Sequence, residues 1–91
     1  MRTFSRTSQF KKDVKLAGRR GKDLAKLKFA IDLLIEGEIL PEQYRDHPLR
    51  GEFAGSRDCH IEPDWILIYT LAEDGTHVRF ERTGTHSDLF R

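Results

Sequence analysis

Apolar and polar positions fall into two regimes along the chain. Up to about residue 36 the apolar residues recur at helical spacing. Phe10, Val14 and Ala17 follow at intervals of four and three. Leu24, Leu27, Ile31 and Leu34 sit at i, i+3, i+7 and i+10, with Ala30 and Ile35 widening that stripe. Thr7 or Ser8 is placed to cap the first helix, because a hydroxyl there accepts a hydrogen bond from a free backbone N–H. Gly18 and Gly21 are expected to end that helix, and Gly37 the second. Joined by a short loop, the two predict an antiparallel hairpin. Later in the chain the period changes. Asp58 to Glu62 predicts a strand, and Pro63-Asp64 breaks it. Trp65 to Leu71 is nearly all apolar, rich in β-branched and aromatic residues, and reads as a central strand. Glu73-Asp74-Gly75-Thr76 predicts a hairpin loop. Val78 and Phe80 then alternate with Arg79 and Glu81, a half-buried strand ending near Gly84.

Three segments complete the picture. Met1 to Arg6 alternates enough for a short opening strand. Residues 38–56 read as a connection with turn signals at Pro41, Pro48, Gly51 and Gly55, in which Glu52 and Phe53 are expected to add a short strand. His86 to Phe90 predicts one helical turn. The order implies an α+β fold in one domain, residues 1–91. The two helices bury their stripes on one face of a mainly antiparallel sheet of about four to five strands. The opposite face is then expected to be free for a site.

Composition narrows the class. A chain of 91 residues suits one core. With 37% hydrophobic and 34% charged residues it is polar but not disorder-like, because its apolar residues are periodic. The lone cysteine, Cys59, excludes an internal disulfide and a multi-cysteine zinc site; it is expected to be a small strand filler. No apolar run resembles a signal peptide or a membrane span, so a cytoplasmic location and no membrane partner are expected. The formal net charge of +1 hides an asymmetry, about +6 over residues 1–36 and −5 over residues 37–91. Lys11, Lys12, Lys15, Arg19, Arg20, Lys22, Lys26 and Lys28 lie on the helices and their connection. That basic face suits phosphates or an acidic protein, or is simply solvated.

Candidate chemistry lies in the later half. Of the four histidines, His47, His60 and His86 sit at expected strand ends or loops, where functional groups collect. His77 has no polar cluster around it in sequence and reads as a solvated surface residue. Histidine with carboxylate suits RNA scission: the 2′-OH must lose a proton, the leaving 5′-oxygen must gain one, and the transition state needs cationic support. The rival use of His47, His60, Asp64 and His86 is a zinc or nickel site, weakened by the absence of any short helical histidine spacing. A serine or cysteine nucleophile is a further alternative. Spacing by itself leaves these readings open.

Three blocks are more specific. His47-Pro48-Leu49-x-Gly51, the stretch Gly55-x-Arg57-Asp58-x-His60-x-Glu62-Pro63-Asp64-Trp65-Ile66-Leu67-Ile68-Tyr69, and Arg79-Phe80-x-Arg82-Thr83-Gly84-Thr85-His86-x-x-Leu89-Phe90 resemble the YafQ family, a branch of the RelE/ParE toxin superfamily. Lys12-Asp13-Val14-Lys15-Leu16-Ala17 and Lys26-Leu27-Lys28 extend the similarity over nearly the whole chain. The resemblance implies a RelE-like fold and a ribosome-dependent endoribonuclease. Such toxins cut mRNA in the A site of the 70S ribosome by 2′-OH attack, without metal or other cofactor, leaving 2′,3′-cyclic phosphate and 5′-OH ends. It implies a DinJ-type antitoxin, and operator DNA met only through the antitoxin complex. Position by position, it implies catalytic roles for His47, His60, Asp64 and His86. Asp64 is then the base and His86 the acid, or the reverse, with His47 and His60 supporting the phosphate and the transition-state charge. Arg82, Phe90 and Trp65 are lesser candidates for phosphate or base contact. Against this, Arg82 suits a strand-end salt bridge and Trp65 suits core packing. The basic helical face is expected to meet rRNA or antitoxin. The alternatives are a non-enzymatic member of the superfold that binds antitoxin or gyrase, and a metal-dependent nuclease.

Overall fold

The computed structural model describes residues 1–90. Strand β1 (Thr3–Arg6) leads into helices α1 (Ser8–Arg19) and α2 (Leu24–Glu36). A 3₁₀ turn (Glu42–Tyr44), strand β2 (His47–Pro48) and a second 3₁₀ turn (Gly51–Phe53) follow. Strands β3 (Arg57–Glu62), β4 (Trp65–Leu71) and β5 (His77–Gly84) then precede the short helix α3 (His86–Leu89). The sheet order is β1-β5-β4-β3-β2. Every pairing is antiparallel except β1 with β5, which run parallel from Thr3↔His77 to Arg6↔Phe80.

Local chemistry explains the helix ends. The Thr7 hydroxyl accepts from Phe10 N–H at 2.9 Å and donates to the Glu81 carbonyl at 2.8 Å. One side chain therefore caps α1 and ties it to β5. Asp23 caps α2 by accepting from Ala25 N–H. Gly37 closes α2 in the left-handed conformation, φ 80°, where a Cβ would be strained. Gly18 does not end α1 as expected. It lies inside the helix, and the chain turns at Arg20 and at Gly21, φ 81°.

The main core lies between the helices and the sheet. Phe10, Ala17, Leu27 and Leu34 meet Cys59, Trp65, Leu67, Tyr69, Val78 and Phe80. One expectation fails here and another holds in part. Glu52 and Phe53 form a 3₁₀ turn; the short strand is His47–Pro48, paired with Arg57 and Asp58. The opposite face of the sheet carries Asp58 and His60, across from Ile68 and Ile66, but it is not wholly free. Ile66 and Ile68 are fully buried there against Leu89, Leu49 and Phe53. A central strand with apolar residues on both faces demands cover on both. The 49–53 segment and α3 supply it, and this brings α3 down onto the sheet.

Candidate active site

Register places the histidines together. His47 on β2 stands opposite Asp58 on β3. Two residues along β3, His60 stands opposite Ile66, which stands opposite Gly84 at the end of β5. His86 follows two residues later. The ring centroids of His47 and His60 are 6.3 Å apart, and those of His60 and His86 5.7 Å. Three imidazoles thus line one end of the sheet.

Each ring is held differently. The β3–β4 turn presents Asp64, whose Oδ1 accepts from the His86 backbone N–H at 2.9 Å and from its Nδ1–H at 2.7 Å. Those two bonds hold the Asp64 carboxyl below its usual range, the backbone bond first. They also leave His86 Nε2 without a partner among the described residues. His47 Nδ1–H donates to the Arg45 carbonyl at 2.7 Å. The loop before His47 is anchored by Asp46, which accepts from the Tyr69 hydroxyl and from Arg57. Phe90 is 37% exposed, and its ring lies 6.1 Å from His86 and 5.7 Å from Phe53, edge-on to the latter.

Asp58 is the group that sequence reading did not single out. Its carboxylate is buried, and Oδ1 has no hydrogen-bond partner among the described residues. That oxygen lies 3.1 Å from His47 Nδ1 and 4.0 Å from His60 Nε2. Burial raises the Asp58 pKa, and the charges of His47, His60 and His86 oppose the rise. A buried carboxylate oxygen short of a hydrogen bond is costly, and the imidazoles offset that cost only when protonated. Its alternation with His60 on one strand face was the available signal.

Other expected site residues lie elsewhere. Trp65 is buried in the main core, its Nε1–H donating to Thr83 Oγ1 at 3.0 Å, with the Lys22 ammonium 5.7 Å from the ring. No base can stack on it. Arg82 is clamped by the buried Asp13, Nε to Oδ2 at 2.8 Å and Nη2 to Oδ1 at 3.2 Å, and so is not a free phosphate ligand. Asp13 also accepts from Gln9 and from Thr83 N–H. His77 is not a free surface residue either. Thr3 and Ser5 hydroxyls bracket its two ring nitrogens at 2.6 and 2.9 Å and join β1 to β5. Cys59 is a fully buried strand residue whose thiol burial pushes upward in pKa.

The basic face divides in two. Arg20 pairs with Asp88, Lys22 and Lys26 share Glu62, and Lys28 pairs with Asp32. Lys11, Lys12, Lys15 and Arg19 are exposed and have no ion-pair partner among the described residues. Among those residues no group of three or more His, Cys, Asp or Glu side chains is arranged to hold a metal ion, and no helix is long and apolar enough to cross a membrane.

Several known proteins share this architecture. The mRNA interferase toxin YafQ of Escherichia coli K12 is 53% identical over 90 residues, which is 98% of this chain and 96% of that protein. The crystal structure of the E. coli DinJ-YafQ toxin-antitoxin complex contains a chain 53% identical, with a TM-score of 0.90 over 99% of this chain and 98% of that one. A metal-bound toxin from Helicobacter pylori is 34% identical with a TM-score of 0.90, covering 99% of this chain and 100% of that one. The family described as bacterial toxin of type II toxin-antitoxin system, YafQ, matches residues 2–91. With that match and those identities, this chain belongs to the YafQ family of type II toxin-antitoxin toxins.

Proposed function

We propose that this toxin is an mRNA interferase that cleaves mRNA in the ribosomal A site by metal-independent acid–base catalysis. The observation that supports it most is the row of three imidazoles with His86 held by Asp64. Imidazole ordinarily titrates near neutrality, so neighbouring rings can divide the two proton transfers. His60, as the neutral ring, takes the proton from the 2′-OH as that oxygen attacks phosphorus. His86, as imidazolium, delivers a proton from Nε2 to the departing 5′-oxygen. The P–O5′ bond breaks, leaving a 2′,3′-cyclic phosphate and a 5′-OH. Water returns both rings to their starting states. His47 supplies charge to the phosphorane-like transition state. Asp64 fixes the His86 tautomer; its depressed pKa and two hydrogen bonds suit an anchor better than a base. Phe90, beside His86, is a platform for a base.

The partners follow the same reading. A DinJ-type antitoxin neutralises the toxin, operator DNA is met only through that complex, and the unpaired Lys11, Lys12, Lys15 and Arg19 face rRNA. The test is primer extension on a translated mRNA with purified ribosomes. Cleavage is expected to survive EDTA and to fall about 10²–10⁴-fold in His86→Ala, with fold and antitoxin binding retained. Loss of cleavage with EDTA would overturn the metal-independent mechanism. Full cleavage by His86→Ala would overturn the assignment of the site. The absence of any cleavage by the parent chain would leave a toxin that acts by binding.

A further inference from the structure

We propose that Arg20 and Asp88 form a positioning pair that fixes His86, so that Arg20 serves the active site through Asp88 and not as an rRNA contact. The inference rests on His86 being catalytic. Helix α3 has four residues, too few to hold itself in water. Its geometry is imposed from outside. Thr85 Oγ1 accepts from Asp88 N–H at 3.1 Å, while Asp88 Oδ2 accepts from Thr85 N–H at 2.9 Å, a reciprocal capping box that encloses His86. Arg20, at the end of α1, reaches the same carboxylate with both terminal nitrogens, at 2.7 and 3.3 Å. A forked contact fixes direction as well as distance.

The strand below packs closely against Asp88. A Cβ added at Gly84 would lie 2.9 Å from Asp88 Oδ2 and 3.0 Å from its Cβ. Asp88 is therefore pressed over a glycine, bonded to the helix start and bonded to α1, while Leu89 is buried in the second core. The His86 backbone N–H that meets Asp64 sits one residue after the capped Thr85. Fixing the cap aims that N–H, and with it the ring. Arg20 lies within the basic face but is not available to phosphate while it spans Asp88.

A double-mutant cycle with a direct probe of His86 tests this. Single-turnover cleavage on programmed ribosomes is measured for Asp88→Ala, Arg20→Ala and the double variant. Each single change is expected to slow cleavage about tenfold at saturating ribosome, and the double no further than either. Asp88→Asn, which keeps an acceptor for Thr85, is expected to recover part of the loss. In the free toxin, NMR titration of the ring Cε1–H is expected to move for His86 in both single variants and to stay put for His77. Unchanged His86 titration in both variants overturns the proposal. So do losses that multiply in the double variant, with Arg20→Ala weakening ribosome binding. If His86→Ala cleaves normally, the site assignment has failed, and the titration still decides whether the pair positions the ring.

Discussion

Replacing Asp58 with Asn should stabilise the protein and impair it together. Asp58 is 3% exposed, and one carboxylate oxygen lacks a hydrogen-bond partner among the described residues. Leaving a buried polar group unsatisfied costs about 1–3 kcal/mol, more when it is charged. Histidine rings at 3.1 and 4.0 Å offset this only when protonated. At pH 8 the isosteric amide should therefore gain about 1–2 kcal/mol, or roughly 4–8 °C in Tm per kcal/mol for a domain this small. The sign follows from the raised Asp58 pKa. A carboxyl whose folded pKa lies above its unfolded value destabilises the fold once pH rises past the ordinary carboxylate range. Below that range the group is neutral in both states, so parent and variant should converge near pH 3. Cleavage should fall about 10–100-fold, by analogy with carboxylates that orient metal-ligating histidines. Urea unfolding at pH 8 and pH 3, beside single-turnover cleavage, reads both effects. A variant less stable than the parent at pH 8 would refute the view that Asp58 is held at a cost for function.

Trp65→Phe removes the hydrogen bond to Thr83 and should cost about 1 kcal/mol in urea unfolding, with cleavage unchanged; a large activity loss with normal stability would restore base stacking as its role. Thr7→Ala removes a cap that also donates to Glu81 and should cost about 1–2 kcal/mol, read as a lower Tm. Changing Lys11, Lys12 and Lys15 together to Glu should weaken ribosome association and flatten its salt dependence by about 2–3 in log–log slope. Unaltered binding across salt would mean that this helix face is merely solvated.

The elements with strong local periodicity were legible before folding. The bounds of Trp65–Leu71 follow from sequence because its residue types and flanking turns agree, and the end of α2 because its stripe stops at a glycine. Gly18 misled because a helix interior tolerates glycine at modest cost. Glu52-Phe53 misled because an aromatic residue near two glycines carries no period. What stayed hidden was set by partners far away in sequence. Asp13 is buried in the middle of a basic helix only because Arg82 and Thr83, about seventy residues on, supply its bonds. Trp65 and Arg82 sit in site-like blocks of sequence yet serve the core and a buried ion pair. The three histidines could be gathered by motif, but the carboxylate beneath them depends on β2–β3 register, which a two-residue strand does not announce.

The parallel pairing of β1 with β5 has a consequence for how the toxin is made. Residues 3–6 have no strand partner until residues 77–80 exist, and the Thr7 cap waits for the carbonyl of Glu81. Closing contacts of such long sequence separation is slow, and during synthesis it cannot begin before the last strand has emerged. The histidine held by α3 comes later still. A nascent chain therefore cannot assemble its row of imidazoles until β5 and α3 have both been made. For an enzyme whose proposed substrate lies in the decoding centre of a ribosome, a chain still short of these last segments is without its proposed acid, His86.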